Sequence, residues 1–223
     1  MTALSLFADR RRAYLLSDGA QFDVRTGEVI GFAPKVLCFP SLSMAIGIQG
    51  WGTIELLMSA LDAQKPAASR FGFLAVLPTA LAGMRLQANL SLLSETRLWI
   101  AMFDRARRLP WMGTVQSGVM PDGQGLPYVI EPTEGAISGL SEADLREVHP
   151  SGWPVDPVED GRRVLALQRR RPFPALAGGG IGVSGECGLY TVSATGVEYL
   201  PLLRFADKPG QRPDMSLEPE RLG

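Results

Sequence analysis

TALSLFADRRRAYLLSDG, residues Thr2 to Gly19, is the stretch on which the reading of the fold turns. Leu4 and Leu6, then Tyr14 and Leu16, recur with period two on either side of the charged run Asp9 to Arg12. That spacing predicts two short strands, 3–8 and 13–18, joined as a hairpin with the charges in its turn. Asp18-Gly19 ends the second strand as a turn dipeptide. Downstream, residues 19–31 are polar and glycine-bearing, and further strands are expected at about 35–39 and 42–49 around Pro40-Ser41. Ile54, Leu57, Met58 and Leu61 fall at i, i+3, i+4 and i+7, so 51–64 reads as a helix with one face packed on a sheet.

The rest of the chain alternates in the same way. Residues 70–92 are apolar nearly all round, which suits a helix covered on both sides, with Pro78 kinking it or marking its start. Arg97 to Asp104 reads as a buried strand that pairs with Pro110 to Gly118, and Pro121 to Gly135 as loop. Ser141 to His149 and Val158 to Arg171 read as helices, the first with Ser141 as cap and Asp144 at its third position. Gly178 to Gly185 is expected as a turn, Gly188 to Leu203 as a closing hairpin around Thr195-Gly196, and 207–223 as a mobile tail. Strands, two helices, strands, two helices, strands is the order of an α+β domain, and a four-layer arrangement of two stacked antiparallel sheets with helices outside accommodates it.

Composition narrows the function. The chain of 223 residues has 46% apolar and 20% charged residues and a formal net charge of −1, so no global basic field supports nucleic-acid binding. Two cysteines, Cys38 and Cys187, build no disulfide framework and sit in no CxxC pair, which points to a reducing cytoplasm. The N-terminus carries its charges after a short apolar segment and reads as no secretory signal. Phe71 to Met84 is uncharged, but its 14 residues are too few to span a bilayer. No membrane association is expected.

Thr2 becomes the N-terminal residue once Met1 is removed, and Asp18 and Lys35 follow it at intervals of 16 and 17 residues. A free N-terminal threonine holds a nucleophilic hydroxyl and a base, its own α-amine, in one residue. The unperturbed α-amine pKa of about 7.7–8.0 leaves a sizeable neutral fraction near neutrality, and a neighbouring ammonium enlarges it. An aspartate keeps that ammonium charged and in place. Arg outnumbers Lys 19 to 3, so a lysine at this position stands out, because Arg brings charge without the compact ammonium a small site accepts.

With these residues in view, Thr2 to Gly52 resembles the N-terminal third of the proteasome-type N-terminal-nucleophile hydrolases, the proteasome β subunits and their bacterial two-ring relatives. An N-terminal Thr opens a strand, an acidic residue ends the next one (Tyr14 to Gly19), a lysine opens a further strand (Pro34 to Cys38), and a glycine closes the one after it (Ala45 to Gly50). The resemblance implies a four-layer αββα sandwich over 1–206. It implies Thr2 as nucleophile and base, Asp18 and Lys35 as its charged partners, and the Gly47 N–H as oxyanion donor. Farther along it implies Ser138 as a supporting serine and Ser184, in Ser184-Gly185, as the family's Ser-Gly pair. The aspartate expected three residues before that pair is replaced by Ile181.

The implied activity is that of a threonine-type amidohydrolase, a peptidase acting on peptide or protein substrates. It needs no metal or organic cofactor. The implied assembly is a homo-oligomer, ring-shaped, with sites facing an inner chamber and helices 51–64 and 70–92 as interface elements; an unfoldase partner is left unnamed. Two rivals stand beside it: a catalytically inactive proteasome-like structural or binding subunit, which Ile181 favours, and a non-peptidase amide hydrolase on a related fold.

Other motifs carry less. Gly180 to Gly185 satisfies GxGxxG, but a helical stretch precedes it and a strand follows, the reverse of a dinucleotide site. His149 is the only histidine and stands alone beside Pro150, so it reads as a surface residue. The runs Arg10 to Arg12 and Arg169 to Arg171 read as a solvated turn and a favourable last helical turn.

Overall fold

The computed structural model describes residues 3–23, 25–65, 69–87, 95–118, 125–140, 142–148, 156–171 and 182–223. The first hairpin forms as expected, from β1 (Leu4–Ala8) and β2 (Ala13–Ser17). Asp9 builds its turn: the carboxylate accepts the Arg11 and Arg12 N–H groups at 2.6 and 2.8 Å and the Tyr14 hydroxyl at 2.8 Å. An aspartate that folds back on the backbone two and three residues ahead is a standard turn former.

The chain continues through β3 (Ala20–Phe22), β4 (Val29–Phe32), β5 (Val36–Phe39), β6 (Met44–Gly50), α1 (Ile54–Gln64) and α2 (Arg70–Gln87). Then come β7 (Thr96–Asp104), β8 (Leu109–Gln116), β9 (Glu131–Pro132), β10 (Ala136–Ile137), α3 (Glu142–Val148), α4 (Pro157–Arg170), β11 (Gly185–Ser193), β12 (Gly196–Phe205) and β13 (Glu220–Arg221). The protein is α+β. One sheet has the order β10-β1-β2-β11-β12-β13, a second the order β5-β6-β7-β8-β9, and β3-β4 stands as a separate hairpin, with every strand pair antiparallel.

Strand alternation distributes the core. Met44, Ile46 and Ile48 of β6 and Leu98, Ile100 and Met102 of β7 pack with Leu57 and Leu61 of α1 and Leu77, Leu81 and Met84 of α2. Phe7 and Leu16 of the first sheet, with Leu189 and Leu202, pack with Val164 and Leu165 of α4. The residues between them in sequence face the other way: Leu4, Leu6 and Leu15 join Ala45, Trp99, Ala101 and Met112 in a cluster drawn from both sheets. The sheets thus touch through one face each and carry helices on the other.

Helix α4 shows why the sequence stops and starts where it does. Asp156 caps it by accepting from the Val158 and Glu159 N–H groups, Pro157 occupies the first turn, Glu159 and Asp160 lie at its positive end and Arg169 and Arg170 at its negative end. Four local readings differ from what forms. The polar stretch after Gly19 makes the β3-β4 hairpin, because Asp23 accepts the Arg25 and Thr26 N–H groups and closes a turn there. Glu131-Pro132, read as loop, adds to the edge of the second sheet through β8. Pro78 lies inside α2 and does not mark its start. Residues 207–223, read as a mobile tail, return to the domain: Leu203 and Arg204 of β12 pair with Arg221 and Glu220 of β13. No described helix is long and apolar enough to cross a membrane.

Candidate active site

Asp18 follows directly after β2, and its side chain is fully buried. A buried carboxylate has to be paired and hydrogen-bonded to be tolerated. Here it accepts four donors. Oδ1 takes the Lys35 Nζ at 2.9 Å and the Ala3 N–H at 3.0 Å; Oδ2 takes the Ala20 N–H at 3.2 Å and the Ser184 N–H at 3.4 Å. Asp18 N–H returns a bond to the Ala3 carbonyl at 3.3 Å, so the residue after Thr2 is held from both sides. Lys35 is only 8% exposed, just ahead of β5. Two charges 17 residues apart in sequence therefore meet inside the protein, one delivered by each sheet. Thr2 itself lies outside the described residues.

Ser138 arrives from the opposite edge of the first sheet. Its hydroxyl accepts the Leu4 N–H at 2.9 Å and its own N–H donates to the Leu4 carbonyl at 2.9 Å, which ties the residue after β10 to the start of β1. Gln168 of α4 donates to the Ser138 carbonyl at 2.8 Å and to the Ser5 hydroxyl at 3.3 Å, fixing this corner against the helix.

Ser184 lies at the foot of β11, and its N–H contact brings it to Asp18. Gly185 follows with φ +69°, a conformation open to glycine, and a Cβ there would stand 2.5 Å from the Phe32 ring. The Ser184 hydroxyl donates to Asp207. Asp207 is gripped by Arg169 at 2.7 and 3.0 Å, and both side chains are buried. Local sequence offered no signal for this pair, since Asp207 sits in a proline-rich charged stretch and Arg169 in a basic helix end.

Gly47 is not placed with these residues as a free donor. Consecutive N–H groups of a strand point to alternate neighbours. The Ile48 N–H donates to the Lys35 carbonyl at 2.9 Å, on the β5 side. The Gly47 N–H therefore points into the ladder where Gly47 faces Trp99 of β7. Its missing side chain serves packing, because a Cβ would meet both Leu4 methyls at 3.0 Å. Gly50 ends β6 with φ +94°, and by the same alternation its N–H points to the β5 side, three residues past Gly47 of the Val36–Gly47 pair.

The chain matches no model of a known protein family, and no curated protein matches it.

Alternatives to the Asp18–Lys35 centre are weak. Burial pushes the Cys187 thiol well above its usual value, and the Asp18 carboxylate pushes it further, so the thiolate a nucleophile needs is disfavoured. Cys38 is shifted up by burial as well. Among the described residues no group of three or more His, Cys, Asp and Glu side chains is arranged to hold a metal ion. His149 and Ile181 lie outside the described residues.

The Asp207 pair gives a pH dependence with a definite sign. Burial pushes its carboxyl up, but the Arg169 guanidinium and the Ser184 hydroxyl outweigh that and hold it below the ordinary aspartate value. A depressed carboxylate contributes stability above its unfolded pKa and loses it as pH falls through the folded value. The difference in unfolding free energy between the protein and Asp207→Asn is expected to be full near about pH 6 and to shrink on acidification below the unfolded value of about 3.9. Urea unfolding at a series of pH values measures it, and a difference that grows with acid contradicts the assignment.

Proposed function

We propose that this chain is a threonine-type N-terminal-nucleophile amidohydrolase acting on peptides, with Thr2 as its nucleophile after removal of Met1. One observation carries the reading: the buried Asp18–Lys35 ion pair is bonded directly to Ala3, the residue that follows Thr2. Covalent geometry keeps the Cα of Thr2 about 3.8 Å from that of Ala3. Two contacting sheets with helices on their outer faces suit the four-layer αββα sandwich that the resemblance implies.

The proposed reaction runs as acyl transfer. Thr2 Oγ1 attacks the substrate carbonyl while its α-amine takes the hydroxyl proton. Lys35, held by Asp18, supplies positive charge that favours the neutral amine. The oxyanion takes a backbone N–H, for which the strand geometry favours Gly50 over Gly47. Collapse expels the amine product, which receives the proton from the α-ammonium, and leaves an ester on Thr2. Water, deprotonated by the same amine, attacks that ester; the acid leaves and the α-ammonium returns the proton to Thr2 Oγ1. No metal or organic cofactor enters. A homo-oligomeric ring with inward-facing sites is part of the same reading, with α1 and α2 as its interface elements.

A second reading, an inactive structural or binding subunit, is favoured by Ile181 standing where a carboxylate is expected. Intact mass of the purified protein, before and after a peptidyl β-lactone, separates the two. The hydrolase is expected to lack one methionine and to gain one acyl group on residue 2, and Thr2→Ala to gain none. Retained Met1 and no adduct would support the inactive subunit.

A further inference from the structure

We infer that Asp207 is a positioning residue for the Asp18–Lys35 centre, acting through Ser184; this rests on the hydrolase reading above. The Asp207 side chain is 2% exposed and the Arg169 side chain 4%. Asp207 accepts from both Arg169 nitrogens, from the Ser184 hydroxyl and from the Asp214 N–H at 3.1 Å. Arg169 also donates to the Val183 carbonyl at 2.8 Å and the Asp214 carbonyl at 2.7 Å, and its guanidinium lies 4.3 Å from the centre of the Phe205 ring. Val183 is held by its carbonyl and Ser184 by its hydroxyl. The chain entering β11 is therefore clamped at two successive residues.

What the clamp presents is the backbone of Ser184. Its N–H meets Asp18 Oδ2 at 3.4 Å, and its carbonyl accepts the Gly19 N–H at 3.3 Å. Both contacts are long, in the range where a hydrogen bond weakens with small displacements. Their geometry depends on how firmly Ser184 is held. Asp18 in turn carries Lys35 on its other oxygen, so a shift at Ser184 re-aims the carboxylate and with it the ammonium. A buried ion pair that does no chemistry adds little net stability over apolar packing, whereas its directional bonds fix one arrangement of the groups around it. The segment after β12 thus belongs to the site.

Acylation of Thr2 by a peptidyl β-lactone tests this. In that step the Thr2 Oγ1–acyl bond forms, the lactone ring C–O bond opens, and the hydroxyl proton passes by way of the α-amine to the departing oxygen. Rate at saturation and half-saturating concentration are read by intact mass for the protein and for Asp207→Asn, Asp207→Glu and Ser184→Ala. Asp207→Asn and Ser184→Ala are expected to lower the saturated rate about 10- to 100-fold, as loss of other orienting partners does. The half-saturating concentration stays the same, and Asp207→Glu restores most of the rate. Ser184→Ala leaves the Arg169–Asp207 pair in place, so it carries the test alone if Asp207→Asn does not fold. Unchanged saturated rates in Ser184→Ala and in folded Asp207→Asn overturn the inference while leaving the hydrolase reading intact. No acylation of the unsubstituted protein overturns the hydrolase reading, and this inference falls with it.

Discussion

Lys35→Ala is expected to abolish acylation of Thr2 and to cost about 3–5 kcal/mol of folding stability, the usual loss when one member of a buried ion pair is removed. The stability loss follows from burial: the Asp18 side chain is fully inaccessible, and among the described residues Lys35 supplies its only charged partner. Three backbone N–H groups remain on the carboxylate after the substitution, from Ala3, Ala20 and Ser184, which keeps the expected loss within that range. The chemical loss has a separate cause, namely the missing positive charge beside the nucleophile. A double substitution, Asp18→Asn with Lys35→Met, separates them. It removes both charges and is expected to recover much of the stability while recovering none of the acylation. Urea unfolding and intact mass read the two effects. Full acylation of Lys35→Ala would show that the assigned roles are wrong.

Trp99→Ala is expected to cost about 3–5 kcal/mol, the range for deleting a fully buried large aromatic side chain. Trp99 is 2% exposed and sits in the cluster that joins the two sheets. Its indole N–H donates to Gln49 Oε1 at 2.9 Å, so the substitution removes both packing volume and a buried hydrogen bond. Leu109→Ala is the control. Leu109 is 52% exposed at the start of β8, outside α1 and α2, and its replacement is expected to stay within about 0.5 kcal/mol. Urea unfolding of both variants checks the pair. A loss at Trp99 no larger than at Leu109 would mean that the sheets do not pack through this face.

The elements legible in the sequence are those whose partners are close along the chain. Leu4, Leu6, Tyr14 and Leu16 announce β1 and β2 by alternation, and the α1 face is written in Ile54, Leu57 and Leu61. The hairpin of β11 and β12 turns at Thr195-Gly196 as expected, with Ser193 opposite Gly196. Asp18 and Lys35 stand out by residue type and spacing, and they meet at 2.9 Å. The β3-β4 hairpin is hidden because its strands, Ala20–Phe22 and Val29–Phe32, are only 3 and 4 residues long, too short for a period to show.

Periodicity and turn chemistry, both local, determined from sequence alone that this is an α+β chain opening on a hairpin and carrying an aspartate and a lysine at telling positions. Tertiary structure alone decided which groups converge on that aspartate. Ser184 reaches it across 166 residues, Ser138 reaches Leu4 across 134, and Arg169 and Asp207 lie behind Ser184. It also turned the Gly47 N–H toward β7, a direction set by which neighbour Ile48 had already engaged. The reason is physical: a hydrogen bond between distant residues depends on how sheets and helices stack, and it imposes no repeat on the residues that lie between its donor and its acceptor.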